Sequence, residues 1–264
     1  MLGIILSYYP VFLASVTILF LVPFEIFQPR ISGAKNWRER VPTILAIAIF
    51  SVVFGTLFTI YLQRPIIEAL KPYQIFSFAK LQFSAEIIFV VSFLFIDFLT
   101  FLFHWLSHKI DILWRLHAVH HSDEQVTAIT GHLHHPFETV VTHVFMLTFY
   151  ILLGVPALVV AYYIAFSAVH NIFVHADISI PQKLEKILRF LIVTPDMHRT
   201  HHSINNVEGN SNFGQMFPFW DWIFGTNVES PALGEANLKM GLFHRDQITR
   251  FSIVNALKLP FSLK

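Results

Sequence analysis

The chain has 264 residues, of which 55% are hydrophobic and only 13% charged, and its formal net charge is +1. Soluble domains carry nearer a quarter charged residues, so this balance excludes an ordinary water-soluble domain and fits a polytopic membrane protein. The near-zero charge gives no footing for nucleic acid, and the absence of cysteine excludes disulfides, thiolate metal sites, haem-thiolate and iron–sulfur clusters built from its own side chains.

In chain order, apolar runs of near-spanning length occur at about 4–27, 42–62 and 83–103. The first follows Met1-Leu2-Gly3-Ile4 without the basic region of a cleaved signal, and reads as a retained helix. A fourth stretch, 137–174, is broken at Gly154-Val155-Pro156. Each half is short for a crossing, which predicts a tight re-entrant hairpin. Arg30, Lys35, Arg38 and Arg40 crowd the first loop, whereas Arg64, Lys71 and Lys80 are spread over the second. That bias places the first loop in the cytoplasm. The third helix then emerges at His104 on that same side. The expected fold is a single all-α integral membrane domain over 1–264, with about four transmembrane or re-entrant helices. A cytosolic helical cap, assembled from 104–136 and 175–264, carries a histidine-rich dimetal site.

The metal reading rests on ten histidines in four groups: His104 and His108; His117, His120 and His121; His170 and His175; His198, His201 and His202. Two groups share the pattern HxxHH. Positions i, i+3 and i+4 of a helix lie on one face, so each triple presents its imidazoles together. Neutral imidazole binds iron, zinc, copper or nickel, and affinity alone does not choose among them. Ten candidates exceed the four of a tetrahedral zinc site and suit two ions close together, each with open positions. Two redox-active ions sharing open positions can bind dioxygen and oxidise an unactivated carbon, such as that of a lipid chain.

His143 and His244 read as ordinary packed or surface residues, as do His132 and His134, while His135 remains an outlying ligand candidate. His170 and His175, five apart, predict a helix end between them. Asp97, Glu138, Asp196 and Glu208 are candidates to hold imidazoles in one tautomer, with capping the alternative for Asp196. Asp97 falls two turns before His104 on the same helical face. The stretch at about 246–264 alternates apolar and basic residues and predicts either an interfacial helix or a tail packed on the cap.

From about Asp97 to Thr226 the chain resembles the fatty acid hydroxylase superfamily, which includes sterol desaturases, sterol methyl oxidases and alkylglycerol monooxygenase. The motifs that carry the resemblance are Phe103-His104-Trp105-Leu106-Ser107-His108 and Trp114-Arg115-Leu116-His117-Ala118-Val119-His120-His121-Ser122. They continue with His135-Pro136-Phe137-Glu138, the 170–181 segment and Thr194-Pro195-Asp196-Met197-His198-Arg199-Thr200-His201-His202. Asn212-Phe213-Gly214 and Trp220-Asp221-Trp222-Ile223-Phe224-Gly225-Thr226 complete the set. The resemblance implies a di-iron oxygenase with a cytosol-facing histidine cage, consuming dioxygen and two electrons. Its ligand motifs match His104, His108, His117, His120, His121, His175, His198, His201 and His202, and His170 with shifted spacing. The chain departs from the family at Trp105, where many members have arginine, and at Leu133, where arginine is common.

No dinucleotide fingerprint, P-loop or CxxCH motif is present, so electrons from NAD(P)H are expected through a separate reductase or carrier, cytochrome b5-like or ferredoxin. Arg115, Lys183, Lys186 and Arg199 are candidates for its docking surface. The expected setting is a bacterial inner membrane or endoplasmic reticulum with the site facing the cytoplasm. Two other readings are a membrane-embedded zinc hydrolase and a metal transporter. The first lacks HExxH, and the second would place ligands along a path through the helices.

Overall fold

The computed structural model describes residues 16–27, 29–30, 37–242 and 251–263, and these are helical with no strand, only a bridge between Ser203 and Met240. Helix α1 covers Val16–Phe27 and α2 the long apolar Trp37–Tyr73. Next come α3 (Ala85–Lys109), α4 (Asp111–His121), α5 (Pro136–Leu152) and α6 (Ala157–His175). Short helices α7 (Gln182–Leu188), α8 (Pro195–His201) and α9 (Phe219–Phe224) follow, and α10 (Ile253–Ser262) ends the described chain. His244, Lys35 and Arg250 lie outside the described residues.

Three helices, α2, α3 and α6, are long and apolar enough to cross a membrane. The chain is an integral membrane protein. Two boundaries differ from the sequence reading in ways that matter. Helix α3 does not stop near residue 103 but continues to Lys109, so His104 and His108 ride on its last turns. The α2 helix runs on past residue 62 through a π turn at Thr59–Gln63. Pro65 has no N–H to bond the carbonyl four residues back, and the widened turn absorbs that loss. The hairpin turn falls where predicted, with Gly154 at φ +57°, a conformation natural to glycine. Its second arm, α6, meets the spanning length that the sequence reading denied it.

Helices α2 and α5 pack along each other, and Ser51 Oγ donates to the carbonyl of His134 at 2.6 Å. Asp97 ties α3 to α6, to α9 and to the segment before it: it accepts from Tyr163 Oη at 2.8 Å, Trp220 Nε1 at 2.9 Å and the Met216 amide at 3.3 Å. A core under α4 gathers Ile44, Ile47, Ala118, Val119, Leu133, Ala256 and Leu259. Leu133, a departure from the family pattern, is wholly buried there. Helix α10 contributes one face to this core and leaves Val254 and Phe261 exposed on its surface.

Candidate metal centre

Nine of the ten sequence-predicted ligands converge. His104, His108, His117, His121 and His201 form one group and His120, His175, His198 and His202 a second, with candidate ligand atoms in each group within 4.8 Å of one another. The two HxxHH triples interlock them. In α4, positions i and i+4 (His117, His121) enter the five-histidine group and i+3 (His120) the four-histidine group. At α8 the assignment is reversed: His198 and His202 enter the four-histidine group and His201 the five-histidine group. The last turns of α3 add His104 and His108 to one group, and the last residue of α6 adds His175 to the other.

The orientation of the rings follows from what their outer nitrogens meet. His104 Nδ1–H donates to the Phe213 carbonyl at 2.9 Å and His201 Nδ1–H to the Ser211 carbonyl at 2.7 Å. His117 Nδ1–H meets Glu138 Oε1 at 2.7 Å, and His175 Nδ1–H meets the Asn171 carbonyl at 2.7 Å. Each bond puts the proton on Nδ1 and turns the Nε2 lone pair inward. All five Nε2 atoms of the first group are buried and have no hydrogen-bond partner among the described residues. In the second group the Nε2 atoms face each other instead, at 3.1 Å between His120 and His175, 2.9 Å between His175 and His198, and 3.2 Å between His198 and His202. Unpaired buried polar atoms are costly, and five of them converging beside four more that can pair only with each other fit two cations better than a hydrogen-bond scheme.

Burial, then the neighbouring rings, hold His120, His121, His198 and His202 well below the usual imidazole range, and burial brings His201 down to about 3. These rings are therefore neutral near pH 7, the state that ligates metal.

The remaining predictions separate cleanly. His170 lies outside both groups: the helix end expected between it and His175 is not there, since α6 runs unbroken to His175, so five residues turn it about 140° around the axis, where its ring sits by Phe173. His135 caps α5, its Nδ1 accepting from the Phe137 amide at 3.2 Å. Of the four carboxylates only Glu138 reaches an imidazole. Asp97 holds the α3–α6 contact, Asp196 pairs with Arg30, and Glu208 accepts from Ser203 Oγ at 2.5 Å and the Ala232 amide at 2.7 Å. Arg199 is buried and donates to Asp177 at 2.7 Å, so it cannot form a docking surface.

One participant was read as ordinary from sequence. His134 joins His117 and Glu138 in a third cluster, with Nδ1 3.2 Å from Glu138 Oε2 and its ring stacked on His120 at 4.6 Å. Burial opposes protonation of His134, but the Glu138 charge prevails and its pKa is raised. The i,i+4 spacing of His134 and Glu138 was the available signal.

A cavity of about 250 Å³ opens beside the histidines. His117, His120, His175 and Glu138 stand at one end, and Phe103, Thr142, His143 and Met146 line it along α3 and α5. Hydroxyls in its wall turn away: Thr100, Ser107 and Thr142 donate to the carbonyls of Ile96, Phe103 and Glu138 in their own helices. The lining they leave suits an alkyl chain.

The fatty acid hydroxylase family model matches residues 89–226, just over half of the chain and the stretch that holds nearly every residue named above. The chain belongs to the fatty acid hydroxylase family. It is 30% identical over 136 residues to human alkylglycerol monooxygenase, covering 51% of this chain and 29% of that protein. It is 30% identical over 135 residues to the ornithine lipid hydroxylase OlsE of Rhizobium tropici, covering 51% and 40% respectively. Against the very-long-chain aldehyde decarbonylase GL1-4 of Oryza sativa subsp. japonica, identity is 30% over 154 residues, 54% of this chain and 24% of that one. The match thus spans two fifths or less of each of these relatives. No solved structure matches the chain. Lipid hydroxylases and monooxygenases are thus among the relatives of this fatty acid hydroxylase family member.

Proposed function

We propose that this protein oxidises a lipid C–H bond, by hydroxylation or desaturation, using two iron ions, dioxygen and electrons that originate in NAD(P)H and arrive through a separate carrier. The observation that carries the reading is the pair of interlocked, all-histidine groups whose buried nitrogens converge beside a cavity that runs along α3 and α5. His104, His108, His117, His121 and His201 would hold one ion and His120, His175, His198 and His202 the other. Iron, when bound by these nitrogen donors, would supply the oxidising power.

The chain's own residues do the rest. Glu138 keeps the His117 proton on Nδ1 and is itself held by His134. The wall of α3 and α5 excludes water and lays an alkyl chain against the histidines. The low polarity of that wall favours a chain over a charged headgroup at the reacting carbon. The site faces the cytoplasm in this reading, of a bacterial inner membrane or of the endoplasmic reticulum, where a soluble carrier can reach it.

Metal analysis of protein purified anaerobically in mild detergent, with dioxygen uptake on adding reductant and a lipid extract, tests the proposal. Close to two irons per chain, lipid-stimulated uptake, and a lipid product heavier by one oxygen or lighter by two hydrogens is the expected result. Zinc alone, with no uptake after iron reconstitution, would overturn it in favour of the hydrolase or transport readings.

A further inference from the structure

The Asn212-Phe213-Gly214 motif lies outside every helix, and none of its side chains belongs to either histidine group. Its backbone does the work. The carbonyls of Ser211 and Phe213, which flank Asn212, accept the Nδ1–H protons of His201 and His104. Those two rings are neighbours, with centroids 4.5 Å apart, and belong to the same five-histidine group.

Asn212 itself has φ +52°, the one positive φ outside glycine among the described residues. A left-handed conformation is unfavourable for a residue with a side chain, and asparagine is among the few that adopt it. Three bonds from the buried side chain offset that cost. Nδ2 donates to the carbonyls of Met197 at 3.2 Å and Val228 at 2.9 Å, and Oδ1 accepts from the Val228 amide at 2.9 Å. The Asn212 amide donates to the Thr226 carbonyl at 2.9 Å. Met197 immediately precedes His198, so the clamp also grips the ligand helix α8. Downstream, Asp221 accepts from the amides of Phe213 and Gly214, both at 2.8 Å. Gly214 has no room for a side chain: a Cβ there would lie 2.7 Å from the Phe217 carbonyl oxygen.

We infer that Asn212 is a positioning residue for the five-histidine group: its left-handed turn and side-chain clamp aim two peptide carbonyls at His104 and His201 and so fix the tautomer and direction of both rings. The inference rests on the dimetal reading only for its consequence, since the tautomers can be read in metal-free protein. The four-histidine group draws on no such loop; only His175 has its outer nitrogen held by the chain.

The test uses the full-length protein in detergent, stripped of metal. Long-range 15N–1H spectra of the histidine rings should show His104 and His201 as Nδ1–H tautomers in the wild type and as mixtures in Asn212→Ala. Titration with Co2+ should show one binding step weakened about 10–100-fold in that variant, as expected when a partner of a ligand is lost, with the other step unchanged. Asn212→Gly, which keeps the turn but not the clamp, should fall between, and it guards against a misfolded alanine variant. Unchanged tautomers in both variants, or equal weakening of both steps with unchanged tautomers, would overturn the inference. A wild type that takes up fewer than two ions while showing the expected tautomers would sink the dimetal reading and leave the positioning role standing.

Discussion

Glu138 gives the sharpest test of how the protein prepares its ligands. Its carboxylate is buried between two imidazoles, 2.7 Å from His117 Nδ1 and 3.2 Å from His134 Nδ1. A hydrogen bond to a charged acceptor contributes about 1.5–3 kcal/mol and a neutral one about 0.5–1.5. Glu138→Gln keeps an amide oxygen where His117 donates but loses the charge, so about 1 to 1.5 kcal/mol of ligand orientation disappears. At about 1.4 kcal/mol per decade, that is close to tenfold in the affinity of the ion held by His117. Glu138→Ala removes the acceptor altogether and should reach the upper end of the 10–100-fold range for lost partners of ligands. Titrating the stripped protein with Co2+ and following its visible absorption reads both. The expected order is wild type, then glutamine, then alanine. An alanine variant within twofold of wild type, or glutamine weaker than alanine, would refute the orienting role.

Three further outcomes follow from the same geometry. Arg40 donates to both oxygens of Asp123, at 2.9 and 2.6 Å, and both side chains are buried, so Arg40→Leu leaves a buried charge unpaired. It should cost about 3–5 kcal/mol, measurable as a lower midpoint of thermal unfolding; an unchanged midpoint would show that the pair does not fasten α2 to the loop after α4. Met146→Trp should fill the cavity and cut lipid oxidation at least tenfold, by the loss of a productive chain position, without changing metal content; unaltered turnover would show that the chain lies elsewhere. The metal-free protein should be least stable in acid. His201 titrates near 3 when folded and near 6.5 when unfolded, and His120, His121, His198 and His202 are lowered likewise. Above pH 6.5 neither state binds these protons; between 6.5 and about 3 only the unfolded state binds the His201 proton. His201 therefore removes about 1.4 kcal/mol per pH unit across that window, the other four rings act in the same direction, and a denaturation midpoint independent of pH from 7.5 to 5 would contradict the burial of the rings.

The helical ligands were legible because a spacing of three and four residues is a statement about a face, and a face can be read without coordinates. His170 shows the limit of the same rule: its five-residue offset from His175 already places it on another side of α6. His134 escaped because its partner, Glu138, lies across the N-terminus of α5, where helical spacing continues but the chain is no longer helical. Asp97 was placed rightly in α3 and on the face toward His104, but its partners, Tyr163, Trp220 and Met216, lie 66 to 123 residues away in sequence. The least legible contributors are the carbonyls of Ser211 and Phe213. A peptide oxygen has no residue type, so only the odd backbone of Asn212 marks it.

The reversed assignment of the two HxxHH triples leads to a test that sequence alone would not suggest. A simpler arrangement would give each triple its own ion. Here α4 sends His117 and His121 one way and His120 the other, and α8 does the opposite. Adjacent residues should therefore fail differently. His120→Ala should weaken the ion of the four-histidine group, because His120 Nε2 faces His175 Nε2 at 3.1 Å. His121→Ala should weaken the ion of the five-histidine group, where its Nε2 is buried without a partner. Combining each with His198→Ala in a Co2+ titration separates the outcomes. The His120 and His198 variants should affect one and the same step, and His121→Ala the other. If His120→Ala and His121→Ala instead abolish the same step, each helix would serve one ion.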